Sequence, residues 1–264
     1  MKNPRFKLAL GAAILSMSPQ FAHAADKPDL SGFWSPPGNQ HPFDEKLIAA
    51  LPPGTVVIDD AGYVEFPQME FGGLEVKPEA LEKAAQWKPE DSLNLKNVCA
   101  TPAVIYAMQG PFPFEIHQFE DVIIFKMEYF DQVRLVFMDG RERPPADAPH
   151  SNLGFSTGKW EGDELVVETT HIKASTITNN GLDHTDNVRF VERFRLSEDG
   201  KTLKSTQWFD DPEVLGSPGA RYMKWDSNPG NYVLPYSCDP SFAVDYEQLV
   251  PGQQMDASEF ETVE

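Results

Sequence analysis

Residues 112–138 read FPFEIHQFEDVIIFKMEYFDQVRLVFM, three short runs in which apolar and polar residues alternate. Alternation with a period of two is the mark of a half-buried strand. Glu120-Asp121 and Tyr129–Asp131 interrupt it where turns belong. A two-residue turn at Glu120-Asp121 sets Phe114 opposite Met127, Ile116 opposite Phe125 and Gln118 opposite Ile123. A short loop at Tyr129–Asp131 then sets Met127 opposite Val133, Phe125 opposite Leu135 and Ile123 opposite Phe137. In this register one face is nearly all apolar. The other carries Glu115, His117, Lys126, Glu128 and Arg134, the dress of a solvated sheet face.

The same pattern continues outward. Strands are expected at about 112–119, 122–128, 132–138, 152–157, 164–170, 187–196, 202–209, 219–225 and 231–237, with turn signals between them. Successive hairpins without helices between them make an antiparallel meander. Eight or more such strands close most naturally into an all-β barrel or a two-sheet sandwich, and the barrel is the expectation taken forward. The long polar connections Asp139–Ser151 and His171–Asp186 would rim its mouth. Upstream, a Pro-rich stretch, a hairpin of Thr55–Asp59 with Tyr63–Phe66, and one helix over 78–88 form an N-terminal extension.

The strand around Glu192 holds the candidate chemistry. Val188, Phe190, Glu192, Phe194 and Leu196 share one face, so the carboxylate interrupts an apolar row. A four-residue loop at Ser197–Gly200 pairs Phe194 with Leu203, Glu192 with Ser205 and Phe190 with Gln207. An inward carboxylate in apolar surroundings has a raised pKa and suits general acid–base work. The alternative is a structural lock on a core arginine such as Arg221. His184 and Asp186 lie just upstream in Gly181-Leu-Asp-His-Thr-Asp186, where Asp183 and Asp186 could fix the imidazole tautomer, or the segment could be a plain turn. Ser205, Gln207 and the aromatic residues Phe125, Phe137, Phe190 and Phe194 would line the cavity.

The termini give an address. Lys2, Arg5 and Lys7, the apolar run Leu8–Met17 and Ala22-His23-Ala24 read as a signal peptide cut near Ala24. Its removal takes the formal charge from −19 to −22. So acidic a chain offers no face for nucleic acid, and no stretch is long enough for a transmembrane helix. Cys99 and Cys238 form one expected disulfide in an oxidising compartment. The chain thus divides into signal peptide (1–24), N-terminal extension (25–98), barrel domain (99–250) and acidic flexible tail (251–264). H-E-x-x-H, C-x-x-C, G-x-S-x-G and phosphate-loop motifs are all missing, so no metal or cofactor is expected.

Several motifs carry a resemblance. Asp29-Leu-Ser-Gly-Phe-Trp34, Gly158-Lys-Trp-Glu-Gly-Asp163 and Glu192-Arg-Phe194 are similar to those of a large, mostly uncharacterised family of exported bacterial proteins. The resemblance implies a lipocalin-like barrel and no defined activity. The chain departs from the pattern at Ser151-Asn152-Leu153, where a His is common. Three functions follow as expectations. The first is a periplasmic barrel that binds a small apolar or aromatic molecule. The second is a cofactor-independent lyase, isomerase or hydratase using Glu192 with His184. The third is a non-catalytic envelope protein with a filled core. Oligomeric state stays open.

Overall fold

The computed structural model describes residues 27–37, 42–60, 66–92, 94–109, 111–241 and 243. The expected signal peptide, Tyr63–Glu65 of the early hairpin and the tail 251–264 lie outside them. Among the described residues twelve strands are present: β1 (Gly32–Ser35), β2 (Val56–Asp60), β3 (Phe114–Gln118), β4 (Val122–Met127), β5 (Val133–Phe137), β6 (Phe155–Glu161), β7 (Glu164–Thr170), β8 (Ser175–Thr178), β9 (Leu182–His184), β10 (Arg189–Leu196), β11 (Thr202–Asp210) and β12 (Gly219–Ser227). Four short helices accompany them: α1 (Glu45–Ala49), α2 (Pro78–Ala84), α3 (Pro89–Ser92) and α4 (Val104–Ala107). None of the described helices is long and apolar enough to cross a membrane.

The strands close into a barrel in the order β1-β3-β4-β5-β6-β7-β10-β11-β12, because β12 returns to β1 through Trp34–Ser227 and Ser35–Asp226. Closure gives each of these nine strands a neighbour on both sides. The barrel is mixed: β5 and β6 run parallel at Val136–Ser156 and Phe137–Thr157. β2 lies outside the ring, parallel to the first half of β12. β1 comes from the segment read as an extension, so the barrel draws on residues before 99. β8 and β9 form a separate hairpin within the long 171–186 connection.

The expected strand at 231–237 does not form. Carboxylates take the place of a ladder there. Val233 N–H donates to Glu115 at 2.8 Å, Leu234 N–H to Glu128 at 3.0 Å, and the Tyr236 and Ser237 amides to Asp131 at 3.0 and 3.3 Å. A disulfide joins Cys238 to Cys99 across a Cα separation of 5.9 Å, the pairing expected of the two cysteines.

The β3–β4 register is the expected one. The β5 register is not. Phe130 and Asp131 take left-handed backbone angles (φ 55° and 52°), and Met127 N–H bonds Gln132 O at 2.8 Å. The loop is therefore one residue longer than expected, and Phe125 faces Arg134 rather than Leu135. A slip of one residue turns over every side chain of a strand. Arg134 and Val136 point into the barrel, while Val133, Leu135 and Phe137 face outward. Phe137 is thus removed from the inner face, with the Arg141 guanidinium 3.7 Å above its ring. Between β10 and β11 the shift is two residues, which keeps the faces: Glu192 meets Gln207, and Phe190 meets Phe209.

Two apolar clusters fill the interior. One gathers Trp34, Phe114, Phe125, Phe194 and Trp225, capped by Trp160. The other gathers Ile58, Ile105, Ile177, Phe190 and Phe209 under the α2 and β8–β9 segments. On β10 the inward residues run Phe190, Glu192, Phe194, so the carboxylate belongs to a polar belt between the clusters.

Candidate functional site

The belt is internally paired. The Arg134 guanidinium bonds Glu192 through Nη2 and also donates to Ser156 Oγ at 3.1 Å and Thr169 Oγ1 at 2.9 Å. Gln207 Nε2 donates to the second Glu192 oxygen at 3.0 Å. Arg134 and Glu192 are 1% and 0% exposed. The partner of Glu192 is therefore Arg134, which the sequence register had placed outside; Arg221 instead donates to the Ile105 and Ile177 carbonyls at 3.1 and 2.7 Å. A buried charge without a partner is expensive, and here each charge has one. Arg134 Nη1, Gln207 Oε1 and Ser205 Oγ have no hydrogen-bond partner among the described residues. Phe125, Phe190, Phe194, Ser205 and Gln207 are packed solidly around this belt.

The open space lies elsewhere. A cleft of about 920 Å³ sits between α2, α3, the 3₁₀ turn Tyr129–Asp131, the β8–β9 hairpin and residues 236–239. Trp87, Tyr129, Phe130 and Tyr236 supply its aromatic walls, and His184 and Asp239 lie among its polar residues. None of the six residues expected to line a cavity borders it, nor does Glu192; His184 does. The rings brace one another. Tyr236 meets Phe130 at 4.7 Å and Tyr129 at 5.6 Å, and Phe112 stacks on Tyr129 at 4.8 Å. Edge and offset contacts of this kind hold rings in fixed orientations.

Three non-glycine residues at this wall occupy the left-handed region: Phe130, Asp131 and Ser237 (φ 48°). Such conformations persist only where the surroundings impose them, and they concentrate at functional sites. The Asp131 carboxylate, bonded to the Tyr236 and Ser237 amides, and the neighbouring disulfide impose them here. The opposite wall forms because Gly181 (φ 98°) lets the β8–β9 hairpin press onto α2; a Cβ there would come within 2.5 Å of Trp87 Cβ.

His184 is 2% exposed. Its Nδ1 lies 2.9 Å from the Thr185 carbonyl, an acceptor only, so Nδ1 carries the proton and Nε2 presents a bare lone pair. That Nε2 is buried without a partner among the described residues. Burial pushes the imidazole below its usual pKa, outweighing the Thr185 carbonyl and the charges of Asp211, Asp183 and Asp186. The tautomer is set by a main-chain carbonyl rather than by the neighbouring acids. Asp183 pairs with Lys83 at 2.8 Å, and Asp186 accepts from the Ala174 amide.

The cleft was not legible as a unit, since its walls come from segments far apart in the chain. The adjacent aromatics Tyr129-Phe130 at a hairpin tip were its visible signal. Compared with models of known protein families and with curated proteins, the chain matches none.

Proposed function

We propose that this is an exported binding protein that holds a small aromatic or apolar molecule in the cleft at the end of its barrel. The observation that carries the reading is the contrast between an interior filled by side chains and a roomy cleft bordered by the aromatic residues Trp87, Tyr106, Tyr129, Phe130 and Tyr236. Concave, largely apolar sites with a few placed polar groups are where small ligands bind. The Cys99–Cys238 disulfide suits the oxidising compartment that the leader at 1–24 implies. The motifs shared with exported lipocalin-like proteins agree with this reading.

Native mass spectrometry of protein exported to a bacterial periplasm tests it. The expected result is a small-molecule adduct that disappears on denaturation and is lost in Tyr236→Ala but kept in Phe194→Leu. An adduct lost in Phe194→Leu and kept in Tyr236→Ala would contradict the assignment.

One observation favours a second reading, a proton-transfer enzyme. The neutral His184, with its unpartnered Nε2 beside the cleft, is placed to accept a proton from a bound substrate. Glu192, locked to Arg134 in the belt, would then support the barrel rather than meet substrate. In that case His184→Gln removes about 10²–10⁴-fold of turnover and leaves binding intact.

A further inference from the structure

The charges around the cleft define its occupant more closely. Asp91, Asp183 and Asp239 border it, and among the described residues Lys83 is the one lysine or arginine that does. Lys83 is already spent on Asp183 at 2.8 Å. Asp91 accepts from the Lys88 amide and Asp239 from the Ser241 amide, each at 2.9 Å, and neither has an ion-pair partner among the described residues. The Ser241 amide and hydroxyl hold the Asp239 carboxyl below its usual range, so it is ionised at neutral pH.

The buried imidazole points the same way. His184 Nε2, an acceptor buried without a donor, calls for an N–H or O–H from outside the protein. Tyr129, Phe130 and Tyr236 border the cleft, and the faces of aromatic rings attract cations through their quadrupole. Carboxylates, ring faces and an unsatisfied acceptor together disfavour an anion and give a neutral molecule only part of what is on offer.

We infer that the cleft takes an organic ammonium ion: an aromatic or apolar body bearing a protonated amine that keeps at least one N–H. The ammonium lies against the rings of Tyr129, Phe130 and Tyr236 within the field of Asp91 and Asp239, and its N–H meets His184 Nε2. This rests on the cleft being the binding site, and the experiment separates the two claims.

Isothermal titration at pH 7 and low salt compares phenethylammonium with 2-phenylethanol, 3-phenylpropanoate and phenethyltrimethylammonium. The ammonium should bind about tenfold more tightly than the alcohol, and the carboxylate should show no saturable binding. The trimethylated ion, lacking an N–H, should fall several-fold behind the parent. Asp91→Asn with Asp239→Asn should erase the advantage of the ammonium while keeping the affinity for the alcohol, which also shows that the variant is folded. An alcohol that binds as tightly as the ammonium, or an advantage that survives the double substitution, overturns the ligand class but leaves the cleft standing. An equally tight trimethylated ion removes the role given to His184. Failure of all four probes to saturate overturns the cleft reading as well.

Discussion

The belt inside the barrel and the cleft at its end use polar and charged side chains to opposite ends. In the belt, Glu192 has Arg134 and Gln207, and Arg134 also has Ser156 and Thr169. In the cleft, among the described residues, His184 Nε2 has no partner and Asp91 and Asp239 lack a countercharge, and the backbone is held in three left-handed conformations. A polar group that is paired and packed fixes a fold, whereas one left short of partners in a residue that borders an open cleft can be met by a ligand. The functional groups of this protein are therefore sought where pairing is incomplete and access is open.

The sharpest way to break this comparison is to strip the belt of one partner. Glu192→Ala leaves Arg134 buried without its carboxylate and should lower stability by about 3–5 kcal/mol in urea unfolding. The paired change Arg134→Met with Glu192→Leu should recover most of that loss, because no lone charge is left behind. A single substitution that costs under about 1 kcal/mol would show that the belt is not a structural lock.

Removing the disulfide probes the cleft wall. Cys238→Ser with Cys99→Ser should cost about 2–4 kcal/mol and should weaken ligand binding, since residues 236–239 form one side of the cleft. A stable variant with unchanged binding would mean that the carboxylate bonds of Glu115, Glu128 and Asp131 hold that segment unaided.

Phe130→Gly separates strain from stability. Glycine accepts φ 55° freely, which offsets part of the lost ring contacts, so unfolding free energy should stay within about 1 kcal/mol of the parent. Ligand affinity should nonetheless fall about tenfold. Affinity that survives the loss of this ring would dismantle the aromatic wall.

The smallest expected effect is a pH slope. His184 has a folded pKa below its unfolded value of about 6.5. As pH falls through 6.5 the unfolded chain takes up a proton that the folded protein refuses, so stability declines with acid until the folded pKa is passed. His184→Gln should flatten this part of the stability profile. An unchanged slope would assign it to other groups.

Much of the barrel could be read from residues alone because two-residue turns leave no choice. Glu120-Asp121 fixed the β3–β4 register, and alternation put Glu192 inside. The β5 register was lost in one loop, where Phe130 and Asp131 adopt left-handed angles that composition does not announce. That single residue hid Arg134 as the partner of Glu192 and sent Phe137 to the outer face. Residues 231–237 alternate like a strand, but carboxylate side chains from β3 and the Tyr129 turn occupy their amides. The Gly181–Asp186 motif did mark a polar group at the mouth, although the long-range approach of Trp87 and Tyr236 to it leaves no trace in local pattern.

The most direct measurement is chemical-shift mapping of the isotope-labelled protein titrated with phenethylammonium. Saturable shifts should be confined to Trp87, Tyr129, Phe130, His184 and Tyr236, with Phe125, Phe194 and Gln207 unmoved. Shifts centred on Phe125, Phe194 and Gln207 would put the ligand inside the barrel and contradict the division of labour between belt and cleft.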